Sequence, residues 1–127
     1  RLGYRDDIPD LMQASDLLVH GARQEPLGRV LLEAAASGLA AVATDVGGTS
    51  EIIVDGESGV LVPPDSVSAM TEAISGLIAN AGRRTQLAAV AHRRIRNDFG
   101  IAESAESLAG VWESAILTAD ADRKFEA

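Results

Sequence analysis

The centre of the chain reads Ala41-Val42-Ala43-Thr44-Asp45-Val46-Gly47-Gly48, a short apolar run followed by a turn with paired glycines. A run this short without alternating polar residues predicts a strand that is covered on both faces. Two similar runs flank it, Leu17-Leu18-Val19 upstream and Gly59-Val60-Leu61-Val62 downstream. The sequence therefore predicts three buried strands.

Helical segments separate these strands. We expect a helix from about Gly28 to Ser37, with Gly38 as a left-handed cap, and a short helix from Thr49 to Val54. Asp7-Ile8-Pro9 predicts the start of an earlier helix. Strands that alternate with helices predict right-handed crossovers and a parallel sheet. The predicted fold class is α/β, a partial doubly wound (Rossmann-like) sheet followed by C-terminal helices.

After Pro63-Pro64 the pattern becomes purely helical. Three apolar stripes at helical spacing predict three helices: Val67, Met70, Ile74 and Leu77; Leu87, Ala91, Ile95 and Phe99; and Ala105, Leu108, Trp112 and Ile116. Five arginines of the second helix are interpreted as its solvated face: Arg83, Arg84, Arg93, Arg94 and Arg96. We expect one domain over residues 1–118 and a polar tail over residues 119–127.

Charge and composition exclude several classes of function. The formal net charge of −8 argues against nucleic acid as a partner, because phosphates need a basic surface. The sequence has no Cys, and its two histidines, His20 and His92, lack the spacing of metal ligands. No apolar run approaches the roughly 20 residues of a membrane span, so we expect a cytoplasmic protein, with any peripheral membrane contact made through another domain.

Two glycine-bearing loops follow the first two strands, residues 20–28 and 45–49. In open parallel sheets ligands bind beyond the carboxyl ends of the strands, and glycines let a ligand approach the backbone. Glu25 lies in the first loop and Glu33 inside the helix that follows it. We interpret Glu33 as lying among leucine and alanine side chains, where a carboxylate is costly to bury without a partner. The alternative is a solvated glutamate.

The motifs of this region resemble those of the retaining glycosyltransferases of family 4 (group 1), which have the two-domain GT-B fold. The similar stretches are Glu25-Pro26-Leu27-Gly28, Glu33-Ala34-Ala35-Ala36-Ser37-Gly38, Val42-Ala43-Thr44-Asp45-Val46-Gly47-Gly48 and Glu51 to Pro63. The resemblance extends to about Trp112. It implies the C-terminal, donor-binding half of an enzyme that transfers a hexose-type sugar from a nucleoside diphosphate sugar, with two glutamates in an E-x7-E arrangement.

The resemblance also implies roles for individual residues. Glu25 would contact the transferred sugar near the reacting carbon as the catalytic residue, and Glu33 would bind the ribose hydroxyls. Backbone N–H groups of Leu27, Gly28, Arg29 and Val30 would meet the phosphates or the sugar. The loop with Tyr4 and Arg5 lies where the family binds the nucleobase. From the spacing of Glu25 and Glu33 and the expected lack of an Asp-x-Asp metal motif, we predict no metal and no cofactor besides the donor substrate. His20 is interpreted as structural.

The chain begins at Arg1, and we interpret it as a piece of a longer protein. Relatives have earlier strands and an N-terminal acceptor domain, so we expect the piece alone to be inactive. Its first strand, Leu17–Val19, would form an open edge through which the piece self-associates. Two alternatives stay open: a sugar-nucleotide epimerase of the same overall fold, and a non-catalytic α/β module that binds anions.

Overall fold

The computed structural model describes residues 3–100, 102 and 104–112. Its elements in chain order are α1 (Ile8–Gln13), β1 (Leu18–His20), α2 (Arg29–Ala36), β2 (Ala41–Thr44), α3 (Thr49–Ile52), β3 (Val60–Val62), α4 (Val67–Ala79) and α5 (Ala81–Asp98). The chain divides into two units, with the boundary between Arg96 and Asn97.

The three strands form a parallel sheet in the order β1-β2-β3, which confirms the predicted fold class. Val42 of the central strand is the partner of Val19 on one side and of Val60 on the other. β1 begins one residue later than predicted, because pairing to β2 starts at Leu18, whose N–H donates to the carbonyl of Ala40 at 2.9 Å.

The sheet has an apolar cluster on each face, so the first unit is a three-layer α/β/α structure. On one face Met12, Ala34 and Leu39 are buried together, with Leu18 packed against them. The other cluster contains Ala40, Val42, Val62, Leu77, Leu87 and Ala88, with Leu17 packed against it. The consecutive residues Leu17 and Leu18, at the start of β1, thus pack on opposite faces of the sheet.

The predicted cap at Gly38 is confirmed. Gly38 has φ +71°, its N–H donates to the carbonyl of Ala35, and the N–H of Leu39 donates to the carbonyl of Ala34 at 2.9 Å. This pair of bonds is a Schellman motif, which satisfies the last carbonyl groups of a helix. Ser66 is the N-cap of α4, and its hydroxyl accepts the N–H of Ala69.

The interpretation of the five arginines as a solvated face is wrong for three of them. Arg84 donates to the carbonyl oxygens of Leu77 and Ile78 at 2.6 and 2.9 Å. Arg83 donates to the carbonyl of Gly56, and Arg94 to that of Glu51. Carbonyls at the end of α4 have no partner within their own helix, so they attract a neighbouring guanidinium.

The second unit contributes helical residues 102 and 104–112 to the described part of the chain. Leu108, Val111 and Trp112 are exposed there. Phe99 follows the last residue of α5. Ile116, the end of the predicted domain and the tail over residues 119–127 lie outside the described residues. Within those residues no helix combines the length and the apolar character that crossing a membrane requires.

Candidate functional site

The two loops that were predicted to carry the site meet at the carboxyl ends of β1 and β2. β1 ends at His20 and β2 at Thr44, and the segments after them are joined by a hydrogen bond from the N–H of Gly48 to the carbonyl of Glu25 at 3.0 Å. Parallel neighbouring strands bring their carboxyl ends to the same edge. The placement of these loops therefore agrees with the sequence prediction.

Glu25 lies over the N-terminus of α2. Its Oε1 accepts the N–H of Gly28 at 2.9 Å, and its side chain is 24% exposed. Gly28 is the N-cap residue with φ +86°, so α2 begins at Arg29, one residue later than predicted. A carboxylate in this position is stabilised by the free N–H groups and the positive end of the helix dipole.

Gly47 and Gly48 hold the backbone of the Glu25 loop. A Cβ atom at Gly47 would lie 2.0 Å from the carbonyl oxygen of Glu25, and one at Gly48 would lie 2.5 Å from that of Pro26. We expected these glycines to let a ligand approach. In the structure they let one loop approach the other, and this corrects the interpretation of the second loop.

Two threonines that sequence reasoning did not single out fix the same edge. Thr44 Oγ1 donates to the carbonyl of Ala22 at 2.5 Å. Thr49 is fully buried, and its Oγ1 accepts the N–H of Val46 at 3.0 Å while lying 2.9 Å from the carbonyl oxygen of Thr44. Thr49 closes the turn after β2, whereas Asp45 in the same turn is exposed. A buried hydroxyl in a tight turn has no recognisable spacing in sequence.

His20 has a close contact with Glu25. Nε2 of His20 lies 3.2 Å from Oε2 of Glu25, and the side chains are 19% and 24% exposed. His20 is the last residue of β1, as its interpretation as a strand-end residue requires. Nothing in the sequence indicated that its ring would meet the candidate catalytic carboxylate.

Glu33 is not buried. Its side chain is 48% exposed, and its Oε1 lies 3.9 Å from Nη2 of Arg29, one helical turn earlier. Successive helix residues point about 100° apart, so the buried Leu31 and Ala34 share a face that excludes Glu33. The expectation of a carboxylate among apolar side chains was therefore wrong.

Glu33 instead borders an open cavity between α1 and α2. The cavity has a volume of about 580 Å³ and is lined by Ile8, Pro9, Met12, Gln13, Glu33, Ala36 and Ser37. Its walls are mainly apolar, with the carboxylate as the charged group. A cavity of this size and character can accept the flat ring system of a small molecule.

Tyr4 and Arg5, the two residues expected near a nucleobase, lie before α1. Tyr4 is 98% exposed. Arg5 is paired with Asp7, to which its Nε donates at 2.6 Å. This hydrogen bond lowers the pKa of Asp7 and raises that of Arg5. In the described part of the chain, neither residue makes a hydrogen bond or an ion pair with Glu25 or Glu33.

The four backbone N–H groups predicted to meet the ligand are not equally available for hydrogen bonding in this structure. The N–H of Gly28 is occupied by Glu25 Oε1. Arg29 and Val30 are the first two residues of α2, and N–H groups in the first turn have no acceptor within the helix. Leu27 precedes them in the loop, with 40% of its surface exposed. The groups at Arg29 and Val30 remain suitable for an anion.

A metal centre is not apparent among the residues that the structure describes. No group of three or more His, Asp and Glu side chains there is arranged to hold an ion. One Asp-x-Asp triplet, Asp120-Ala121-Asp122, occurs in the polar tail, outside the described residues.

Comparison with known proteins identifies the family. Residues 2–94 match the model of the family "Glycosyl transferases group 1". The chain belongs to the group 1 glycosyltransferases. It is 36% identical over 115 residues to the lipopolysaccharide core biosynthesis mannosyltransferase LpsB of Rhizobium meliloti, and 38% identical over 111 residues to the D-inositol 3-phosphate glycosyltransferase of Salinispora tropica. These matches cover 89% and 87% of this chain.

Solved structures include proteins with the same fold as this chain. The Anabaena protein Alr3699/HepE, crystallised with UDP, matches with a TM-score of 0.83 and 32% identity over 89% of this chain and 31% of its own. The C-terminal domain of the group 1 protein LpcC from Francisella tularensis matches with a TM-score of 0.71 and 32% identity, over 80% of this chain and 52% of its own. This group 1 glycosyltransferase chain therefore has the fold of a GT-B C-terminal domain.

The chain spans only part of its relatives. It covers 33% of the length of LpsB and 23% of that of the Salinispora glycosyltransferase. The activity, substrates and partners of the whole protein are therefore matters for proposal.

Proposed function

We propose that this chain is the donor-binding portion of a retaining glycosyltransferase that transfers a hexose-type sugar from a nucleoside diphosphate sugar. The observation that carries the proposal is the placement of two carboxylates along one helix, Glu25 before its first turn and Glu33 within it. Glu25 lies over the N-terminus of α2, and Glu33 borders the cavity between α1 and α2.

The spacing of these groups suits the diphosphate that links the ribose to the sugar in such a donor. Glu33 lies five residues after the N-cap Gly28, which corresponds to about 7 Å along the helix axis. The N–H groups of Arg29 and Val30 lie between the two carboxylates along the chain. A diphosphate at these groups, with its sugar toward Glu25 and its ribose toward Glu33, uses each kind of polar group once.

The two carboxylates would then have different roles in the reaction. The transition state of glycosyl transfer has oxocarbenium character, and the Glu25 carboxylate would stabilise the positive charge that develops on the sugar. Glu33 would accept hydrogen bonds from the ribose hydroxyls in the ground state and in the transition state alike. The crystal structures of Anabaena HepE with UDP and with UDP-glucose support a nucleotide sugar as the ligand class.

The reaction can be tested with the full-length protein and a panel of nucleoside diphosphate hexoses. NMR of the glycoside product should show the anomeric configuration of the donor, and EDTA should leave the rate unchanged. Inversion at the anomeric carbon would overturn the retaining mechanism. Loss of activity with EDTA and its recovery with a divalent cation would overturn the metal-free reaction and direct attention to Asp120-Ala121-Asp122.

The same assay, run with and without an acceptor, separates the proposed transferase from the two alternatives. Release of an epimerised sugar would indicate a sugar-nucleotide epimerase. A non-catalytic module would show neither transfer nor epimerisation, and its anion affinity would be unchanged by Glu33→Ala.

A further inference from the structure

The end of β1 directs the side chain of His20 toward α2. Alternate strand residues face the same side of a sheet, and Leu18, two residues earlier, packs on the cluster of Met12, Ala34 and Leu39 between the sheet and the first two helices. His20 therefore faces the side on which α2 begins. The neighbouring Val19 faces the opposite side and is 46% exposed.

The His20 ring reaches the second oxygen of the Glu25 carboxylate. Nε2 lies 3.2 Å from Oε2, while Oε1 accepts the N–H of Gly28 at 2.9 Å. Nε2 is buried, and it has no hydrogen bond of good geometry with any described residue. A buried ring nitrogen normally has a partner. Among the described residues, the group within reach of Nε2 is this carboxylate, which can accept a hydrogen bond only when Nε2 carries a proton.

We propose that His20 is a positioning residue that holds the carboxylate of Glu25 in place for sugar transfer, an inference that rests on the function proposed above. The backbone that carries the ring is itself fixed, because Thr44 Oγ1 bonds the carbonyl of Ala22 and lies 3.4 Å from that of His20. With one oxygen on the Gly28 N–H and the other beside His20, the carboxylate cannot rotate freely. Small errors in the placement of a reacting group can reduce rates about 100-fold.

The chain offers a matched control in its second histidine. His92 is also half-buried, and its Nδ1 lies 3.1 Å from the carbonyl oxygen of Ala35, a backbone group in α2. A histidine that merely supports packing should behave like His92. A positioning residue should affect turnover out of proportion to stability.

The test compares His20→Leu, His20→Gln and His92→Leu in the full-length enzyme. Gln can place an amide N–H where Nε2 lies, whereas Leu cannot. We expect His20→Leu to lower kcat about 10- to 100-fold with a donor KM within about twofold of wild type, and His20→Gln to recover most of the loss. His92→Leu should leave kcat unchanged, and the melting temperatures of the three variants separate these effects from unfolding.

A wild-type kcat for His20→Leu would overturn the proposal, as would a His20→Gln variant as slow as His20→Leu. If His20→Leu does not fold, His20→Asn replaces it, because its shorter amide cannot reach the place of Nε2; equal rates for Gln and Asn would then overturn the proposal. Glu25→Gln is measured in parallel. Wild-type activity of that variant contradicts the proposed role of Glu25 itself, whereas an inactive Glu25→Gln beside a fully active His20→Leu contradicts only the role of His20.

Discussion

The carbonyl oxygen of Glu25 lies 2.0 Å from the position that a Cβ atom on Gly47 would occupy. The candidate catalytic loop therefore rests directly on the turn that follows the central strand. Gly48 strengthens the contact, since its N–H donates to the same oxygen. The orientation of Glu25 depends on the absence of a side chain at a position 22 residues further along the chain.

The first prediction concerns this contact. Gly47→Ala should lower turnover of the full-length enzyme by at least about tenfold, because the new methyl group displaces the Glu25 loop and misplaces its carboxylate. Gly38→Ala is the matched control: Gly38 also has a positive φ, but open space surrounds its Cβ position. It should cost about 1–2 kcal/mol of stability through backbone strain alone, measured by urea unfolding, with turnover unchanged. Equal turnover in the two variants would contradict the role of Gly47.

The second prediction separates the two glutamates. Glu25→Gln keeps an acceptor for the N–H of Gly28 but removes the charge, so we expect kcat to fall at least about 100-fold while nucleoside diphosphate affinity stays within about twofold. Glu33→Ala should weaken nucleoside diphosphate binding about tenfold, which corresponds to about 1.4 kcal/mol.

Calorimetric titration and steady-state kinetics measure the two effects, with Glu72→Ala, an exposed glutamate on α4, as the control. The assignment assumes that charge on the sugar changes only in the transition state, while the ribose contact is the same throughout. Equal losses of nucleotide affinity in the Glu25 and Glu33 variants would show that the roles are not divided in this way.

Periodicity allowed the strands and helices and the buried positions of Leu77 and Leu87 to be predicted, but not the side of α2 on which Glu33 lies. The uniform apolar runs predicted the strands because a doubly covered strand needs no polar alternation, and Gly38 predicted the end of α2 because few residues adopt its conformation. Glu33 was misplaced because its sequence neighbours Leu31 and Ala34 are not its neighbours in space. The fully buried Thr49 had no detectable signal.

The contacts that shape the candidate site join residues far apart in sequence. The glycine pair at 47 and 48 suggested a ligand, yet the atoms that fill the space belong to Glu25 and Pro26. The approach of His20 to Glu25 depends on the pleat of β1 and on the course of the loop after it. Sequence motifs placed the candidate residues in these two loops, whereas the close approach of the loops at the two glycines is visible only in the three-dimensional structure.

The third prediction concerns Arg84, which caps the C-terminal end of α4. Arg84 is 18% exposed and donates to the carbonyl oxygens of Leu77 and Ile78. Arg84→Met keeps most of the apolar stem but loses these charge-assisted bonds, so it should destabilise the chain by about 1.5–3 kcal/mol. The pair with the exposed Asp16, at 3.4 Å, should add little to the stability.

The control is Arg93→Met, on an exposed position of α5, which should change the free energy of unfolding by less than about 0.5 kcal/mol. Equal effects would show that Arg84 does not act through the end of α4.

The last prediction concerns the open side of β1. Within the described residues β1 pairs only with β2, and a cavity of about 710 Å³ beside it is lined by Ser15, Asp16, Leu17, Val19, Ile74, Ile78 and Arg84. An apolar strand edge of this kind pairs readily with another chain. We therefore expect this 127-residue chain, studied alone, to self-associate with residues 17–19 at or near the contact.

Sedimentation velocity over a range of concentrations should show association of the wild-type chain and its loss in Val19→Lys, because a lysine at an edge opposes strand pairing. Val67→Lys is the matched control, since Val67 is an apolar residue of α4 that is 81% exposed but lies outside the strand. It should associate like the wild type. A stable wild-type monomer at high concentration, with Leu18 and Val19 amides protected from hydrogen exchange, would show that other residues of the chain cover the edge.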